Sequence, residues 1–421
     1  MWSARRCKAC SLAILLLLYS SLTWGAGTPS FQAGWAKVDL TPSFSCPLAG
    51  YGKRRNAQMQ GVHDPLYARA LVLEGDGEKI ALVSVDLVVI IRPLREEVER
   101  RLAPLHLTAL LLSATHTHSG IGGYWNNFLA EEIAMGRYEE RVASFIVERI
   151  VQAVLEADKN KCAARVGVGV TPVEGLNRNR QSRSGPVDPE LGVIRIDDAT
   201  GRPLAAIVNF SAHATVLGPQ NLLLSADYPG ALTAALEAHF PVALFTAGAS
   251  GNLSPRAPGG KERYESVAAL GLALAQQAET LLERVITSDP VVLRSRTREV
   301  RLAAATTRAL VPFPLSLLLD PIFRPFTPST TLLQAIRIDH AVLCAWPCDL
   351  GVEIGLALKA QAHGWGFEHL LIISQTNDYI GYVLSKESYE QGGYETRMSF
   401  FGPQLGESLQ EQMTALLEEV R

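Results

Sequence analysis

Two stretches decide the fold: Ala81-Leu-Val-Ser-Val-Asp-Leu-Val-Val-Ile (81–90), and Leu107-Thr-Ala-Leu-Leu-Leu-Ser-Ala (107–114), which runs straight into Thr115-His116-Thr117-His118-Ser119-Gly120. The first is apolar and β-branched, interrupted only by Ser84 and Asp86, as expected of a strand buried on both faces. The second is another strand of that kind. Between them, Pro93 to Leu105 carries Arg95, Glu96, Glu97, Glu99, Arg100 and Arg101 and reads as a charged helix. A strand, a helix and a second strand in succession indicate an α/β domain.

The alternation continues outward. Tyr138 to Ala157 is amphipathic and long enough for a solid helix. Val166 to Val170, Leu191 to Ile196 and Ala205 to Phe210 are predicted strands. Gly230 to His239 and Ser266 to Val285 are predicted helices. Val342 to Ala345 and Leu370 to Ser374 are strands with a helix between them from Gly351, and Gln404 to Val420 is the last helix. Short strand-to-strand connections within 191–210 call for a mixed sheet. The expected fold is α/β, with mixed β-sheets flanked by helices. The 421 residues are 48% hydrophobic and 19% charged, enough for a sizeable core and unlike a disordered chain. A formal charge of −3 gives no electrostatic reason to expect a nucleic-acid partner.

The N-terminus reads as a secretory signal peptide over 1–26. Arg5, Arg6 and Lys8 precede the apolar run Leu12 to Tyr19, and Trp24-Gly25-Ala26 offers a small-residue cleavage site. The run is shorter than the roughly 20 residues a membrane span needs. The expected mature chain, 27–421, is secreted or periplasmic and long enough for one large domain or two ordinary ones. It retains Cys46, Cys162, Cys344 and Cys348. These are read as buried thiols or one structural bridge, with three pairings open. One segment stands apart: 309–326 (ALVPFPLSLLLDPIFRPF) sets four prolines among Leu, Ile and Phe, which blocks a continuous helix. It is either a buried irregular segment or an apolar lid or mouth that receives a lipid chain or touches a membrane.

Histidines mark the chemistry. His116 and His118 follow a strand, where α/β sheets bind ligands. Two apart in extended chain, they would address one site. Alone, the pair is equally compatible with a metal site or a hydrogen-bonded turn. His213, in Ser211-Ala212-His213-Ala214-Thr215, follows another strand. Asp349 occupies an equivalent place after Pro347, as a ligand or as an N-cap for the helix from Gly351. Ser254 closes a Gly/Ser-rich loop from Thr246 that could hold an oxyanion or be an ordinary turn. Gly248-Ala-Ser250-Gly-Asn252 has Asn where a nucleophile elbow needs its last Gly. Asp227-Tyr228-Pro229-Gly230 is read as an N-cap and proline-containing helix start.

Taken together, SATHTHSGIGGY (113–124), NRNR (177–180), VNFSAHATVLG (208–218), AGASGNLSPR (247–256) and NDYIGYVLSKESYEQGGYE (377–395) resemble the neutral/alkaline non-lysosomal ceramidases, in that family's order. The resemblance runs from about Gly34 to the C-terminus and is to short bacterial members without the C-terminal immunoglobulin-like domain. It implies a ceramidase-type catalytic domain with one zinc per chain, held by His116, His213, Asp349 and Tyr382. Asp349 stands where the family has Glu in a Pro-Gly-Glu turn. By the same resemblance His118 assists proton transfer, and Tyr394 and Arg180 stabilise the oxyanion, Arg178 being the alternative to Arg180. Ser254 matches a serine regarded as nucleophile, and is read here as positioning substrate or metal-activated water. The implied substrate is a lipid-like N-acyl amide such as ceramide. Another acylated amine, an ester, or a non-catalytic lipid-binding role are the rival expectations.

Overall fold

The computed structural model describes residues 31–259, 263–311 and 314–421; the expected signal peptide lies outside them. Eight strands form the larger sheet: β1 (Phe31–Asp39), β2 (Tyr67–Gly75), β3 (Glu78–Val85), β4 (Ala109–Ala114), β5 (Cys162–Pro172), β6 (Glu190–Asp198), β7 (Pro203–Phe210) and β8 (Val242–Ala247). Their order across the sheet is β8-β7-β6-β5-β1-β2-β3-β4. Only the outer pairs, β3/β4 and β7/β8, are parallel. The central pairs are antiparallel, so the sheet is mixed as expected. A second sheet packs β9 (Leu293–Arg301), β10 (Thr330–Ile338), β11 (Ala341–Ala345) and β12 (His369–Ile373) in that order, with β11/β12 parallel.

The two sheets face each other. Leu71, Leu82, Leu111, Ile207 and Leu244 of the larger sheet share one buried cluster with Ile336, Leu343, Leu371 and Ile373 of the smaller. The outer face of the larger sheet is covered by α1 (Arg92–Leu102) and α2 (Glu140–Lys159) on one half, and by α3 (Asp227–Leu236) and α4 (Arg263–Leu282) on the other. The smaller sheet is covered by two later helices, Val352–Gln361 and Leu405–Glu419. This layering explains the continuous apolar strands. In β3, Leu82 points between the sheets while Ala81, Val83 and Val85 pack under the helices, so no position from Ile80 to Val85 faces water.

Two expectations change, and the two readings of 309–326 are resolved. The strand of 81–90 stops at Val85. The buried Asp86 carboxylate leaves the ladder to accept from the Tyr67 amide at 2.8 Å and from Arg69 at 2.9 Å, and 87–90 run on as a buried loop. The helix does start at 227–230, as expected, but Asp227 is its first residue and not its cap: Ala226 precedes it, and Asp227 accepts from the Leu217 and Tyr228 amides. The segment 309–326 is not buried. It contains α5 (Leu315–Phe323), a short helix that tolerates Pro321 near its end, with Leu318 71% and Ile322 66% exposed. Pro312 and Phe313 lie outside the described residues. Cys46, Cys344 and Cys348 are buried and Cys162 is exposed, all four as free thiols. Among the described residues no helix is long and apolar enough to cross a membrane.

Candidate metal centre

The site gathers at the carboxyl ends of the parallel strands. His116 lies two residues past β4, and His213 three past β7. Asp349 lies four past β11, and Gln375 two past β12. The expected extended His116-Thr117-His118 segment is bent at its first residue: His116 has φ +65° and Thr117 pairs with Ala214. That left-handed residue re-aims its ring, and the two imidazoles meet edge to face with centroids 4.7 Å apart. Gln375 (φ +59°) and Asn377 (φ +63°) carry the same unusual conformation. Non-glycine residues pay roughly 1–2 kcal/mol for it, a cost that persists only where tertiary contacts impose it. Here they do. The Ala114 amide donates to the Gln375 carbonyl at 3.1 Å, and Asn377 Oδ1 accepts from the Leu112 amide at 3.0 Å. The 375–377 turn is thereby fastened to the end of β4.

The imidazoles are oriented by main-chain carbonyls. Nδ1 of His116 meets the Val88 carbonyl at 2.7 Å, Nδ1 of His118 that of Gly50 at 2.8 Å, and Nδ1 of His213 that of Ser250 at 2.7 Å. A carbonyl only accepts, so each Nδ1 carries a proton, and in the neutral ring Nε2 turns a lone pair inward. Gly50 has to be glycine: a Cβ would lie 2.6 Å from the His118 Cα.

The inward atoms crowd one point. Nε2 of His116 and Nε2 of His118 are 3.2 Å apart. Asp349 Oδ1 is 3.2 Å from His116 Nε2 and 3.4 Å from His213 Nε2. The Tyr382 hydroxyl is 3.2 Å from His213 Nε2. Possible ligand atoms of the three histidines all lie within 4.8 Å of one another. Lone pairs facing lone pairs in a buried setting are unfavourable unless a cation joins them. The donor set of imidazole nitrogens and a carboxylate suits a transition-metal ion. Burial, then the charges of His116 and Arg180, lowers the pKa of His118 well below its ordinary value. Burial, then Arg180 and the neighbouring histidines, does the same to His213. Both rings are therefore neutral and open to a metal.

Asp349 caps nothing: Gly351 precedes the helix, and no side chain caps it. The carboxylate is held by Gln375 Nε2, which donates to Oδ1 at 2.7 Å, and by the Tyr379 hydroxyl, which donates to Oδ2 at 2.7 Å. Sequence reasoning passed over both residues. Tyr379 lies inside the string that contains Tyr382, and only the contact separates their roles. Behind Asp349, Gly251 leaves room for its backbone; a Cβ there would meet the Asp349 carbonyl at 2.7 Å.

Arg180 turns into the site, and Arg178 is exposed. Arg180 Nη2 donates to the Tyr382 hydroxyl at 2.9 Å and to the Gly251 carbonyl at 2.8 Å, and its Nε pairs with Glu395 at 2.7 Å. Burial opposes that charge, but Tyr382 and Glu395 outweigh it and raise the guanidinium's pKa. Tyr382 itself titrates far above the usual phenol value, chiefly through burial and then the Asp349 charge. Tyr394 is 53% exposed and packs edge to face on Tyr382, centroids 5.8 Å apart. Ser254 sits on the short strand Leu253–Pro255 opposite Arg178, partly buried. Among the described residues its hydroxyl makes no hydrogen bond to the cluster; the Leu253 carbonyl beside it accepts from the His213 amide at 3.2 Å. His116, His118, Asp349, Tyr382 and Tyr394 form the floor of a cavity walled by Val89, Trp125, Leu129, Phe323, Phe326 and Phe400.

Known proteins share this architecture. The neutral ceramidase of Pseudomonas aeruginosa is 25% identical over 92% of this chain and 72% of its own length. That of Mycobacterium tuberculosis is 25% identical over 88% and 74%. The solved structure of the Pseudomonas aeruginosa enzyme superposes with a TM-score of 0.82 at 22% identity, over 93% of this chain and 75% of that one, which establishes the shared fold. The family profile for neutral/alkaline non-lysosomal ceramidase, N-terminal, matches residues 31–261. The chain belongs to the neutral/alkaline non-lysosomal ceramidase family.

Proposed function

We propose that this chain is a zinc-dependent hydrolase that cleaves the amide bond of an N-acyl lipid of the ceramide class, giving a fatty acid and a sphingoid base. The observation that carries the reading is the convergence of His116, His118, His213 and Asp349, acceptor to acceptor, on the floor of an apolar-walled cavity. Family membership supports the amide chemistry, and the similar proteins named neutral ceramidase support the substrate class.

His116, His213, Asp349 and Tyr382 would hold a zinc ion, which would supply Lewis-acid polarisation of the amide carbonyl and lower the pKa of bound water to about 7. The protein's own groups manage protons and position. His118 is the half-buried imidazole and faces the cavity, with Nε2 unprotonated. It accepts a proton from the attacking water and returns it to the departing amine, the step an amide most needs. The Tyr394 hydroxyl, at the cavity floor, donates to the developing oxyanion. Arg180 keeps a fixed positive charge on Tyr382 and thereby holds that phenol against His213. Ser254, on the strand Leu253–Pro255, is assigned the positioning of substrate or metal-activated water. The phenyl and indole walls hold acyl chain and exclude water.

Acyl-chain release across ceramides, other N-acyl amines and esters, before and after chelation, tests the reading. Ceramide cleavage lost on chelation and restored by zinc is the expected result. Cleavage of esters alone, or chelator-resistant cleavage of ceramide, overturns it. Export rests on the basic residues, apolar run and small-residue site at the N-terminus; the recovered mature protein should begin at Gly27.

A further inference from the structure

A helix on a protein surface ordinarily buries its apolar stripe and shows its polar one. α5 does the reverse. Its fully inward residues are Ser316 and Asp320, one turn apart. Its outward residues are Leu317, Leu318 and Ile322, at 52%, 71% and 66% exposure. The inversion is fixed from inside. Asp320 Oδ1 accepts from the Thr307 amide at 2.6 Å and from the Thr307 hydroxyl at 2.8 Å, so the helix cannot roll its leucines inward without breaking both bonds.

The patch continues into the cavity. The turn Arg324–Phe326 follows α5 directly, and Phe323 and Phe326 wall the cavity mouth. On the opposite rim Phe128 is 60% exposed and faces the Phe326 ring at 6.1 Å. The rims are tied by Asn127 Nδ2, which donates to the Phe326 carbonyl at 2.9 Å. Exposed apolar side chains therefore flank the mouth of the space above the histidines.

We propose that α5 and the cavity rim form a lipid-surface docking face, in which Leu317, Leu318 and Ile322 enter the outer few ångströms of a bilayer or micelle and the cavity mouth opens against it. Continuity with the mouth selects this occupant. A second copy of the chain seated on the patch would stopper the cavity, whereas a lipid surface keeps it open to an N-acyl lipid leaving that phase. The proposal rests on the N-acyl lipid hydrolase reading for its choice of partner, but its test does not.

The test uses the zinc-loaded full chain and sedimentation with phosphatidylcholine vesicles free of substrate. The wild-type chain should partition to the vesicles, and Leu318→Asp with Ile322→Asp should weaken partitioning at least tenfold. Both side chains are outward, so the melting temperature and the turnover of a short-chain, water-soluble N-acyl amide should not change. Equal partitioning of the variant, no partitioning of the wild type, or a wild-type dimer in velocity sedimentation that these substitutions dissolve would each overturn the docking face. So would slowed turnover of the soluble amide by the variant. Vesicle binding without cleavage of any N-acyl amide would uphold the face and overturn the hydrolase reading; cleavage of the soluble amide without vesicle binding would do the opposite.

Discussion

Asp349 is the residue on which the centre hangs. It is shorter by one methylene than the family's glutamate, and it is gripped from two sides by Gln375 and Tyr379. Partners of a ligating group commonly contribute 10- to 100-fold to metal affinity. Tyr379→Phe removes one donor and no volume of consequence, so the affinity of the centre for a metal ion should fall about 10- to 100-fold. Competition against a chromophoric chelator measures it, and an unchanged affinity would separate Tyr379 from the centre. His118→Ala should behave differently: about 10²- to 10⁴-fold lower kcat with the metal content retained, as a proton-transfer role requires. Zinc lost along with rate would make His118 a ligand. The histidines also set a pH dependence. His118 and His213 both have folded pKa values lowered by burial from 6.5. Below that value the unfolded chain binds protons that the folded chain refuses. The stability of metal-free protein should therefore be full above about pH 6.5 and fall as pH drops below it, by at most about 1.4 kcal/mol per pH unit for each ring. Urea midpoints at pH 7.5 and pH 5.5 read the sign; a higher midpoint at pH 5.5 would contradict it.

At the scale of elements, the site depends on loops leaving parallel strands and packing against each other. The Gly251 amide donates to the Leu350 carbonyl at 2.7 Å, and its Cα faces the Asp349 backbone with no space for a methyl group. Gly251→Ala should push the 349–350 segment away from the histidines and lower kcat/KM at least tenfold, with a loss of about 1–3 kcal/mol in stability from overpacking. Wild-type activity in that variant would show that the two loops are not coupled. The predicted helices and strands reappear within a few residues of where periodicity sets them, since each buries a stripe or a face against the layer beside it. Periodicity failed where a polar residue left the ladder. The run 81–90 looks uniform, yet Asp86 finds Arg69 on the adjacent strand, and the strand ends there. For the proline-rich 309–326 segment the sequence left burial and an apolar mouth open; an aspartate turned inward exposes the leucines and decides between them.

The whole molecule joins two sheets around one cluster. His116 and His213 come from the larger sheet, and Asp349, Gln375 and Tyr382 from segments following strands of the smaller. A metal bound there would bridge both, and a ligand bound only by the folded state stabilises by about 2.7 kcal/mol when its free concentration is a hundred times its dissociation constant. Chelation should lower the melting temperature by several degrees, and Asp349→Ala should melt where the chelated wild type does. Superimposed melts of treated and untreated protein would remove the metal from the architecture.

The alternation of strands and helices, the mixed sheet and the strand-end placement of His116, His118 and His213 could be read from the chain alone, because hydrophobic period and turn chemistry are local properties. The strings around those residues carried the family as well. What only the tertiary structure decided is what meets what. Arg180 rather than Arg178 faces the cluster because Arg180 turns toward Tyr382 and Glu395, while Arg178 is exposed on a strand paired through Ser254. Asp349 faces the histidines instead of capping a helix, and Tyr379 and Gln375 hold it, through contacts between segments some 26–30 residues apart. His116 reaches its place by a left-handed turn that no period encodes. Such contacts depend on how layers stack, and stacking is settled by burial summed over the whole core.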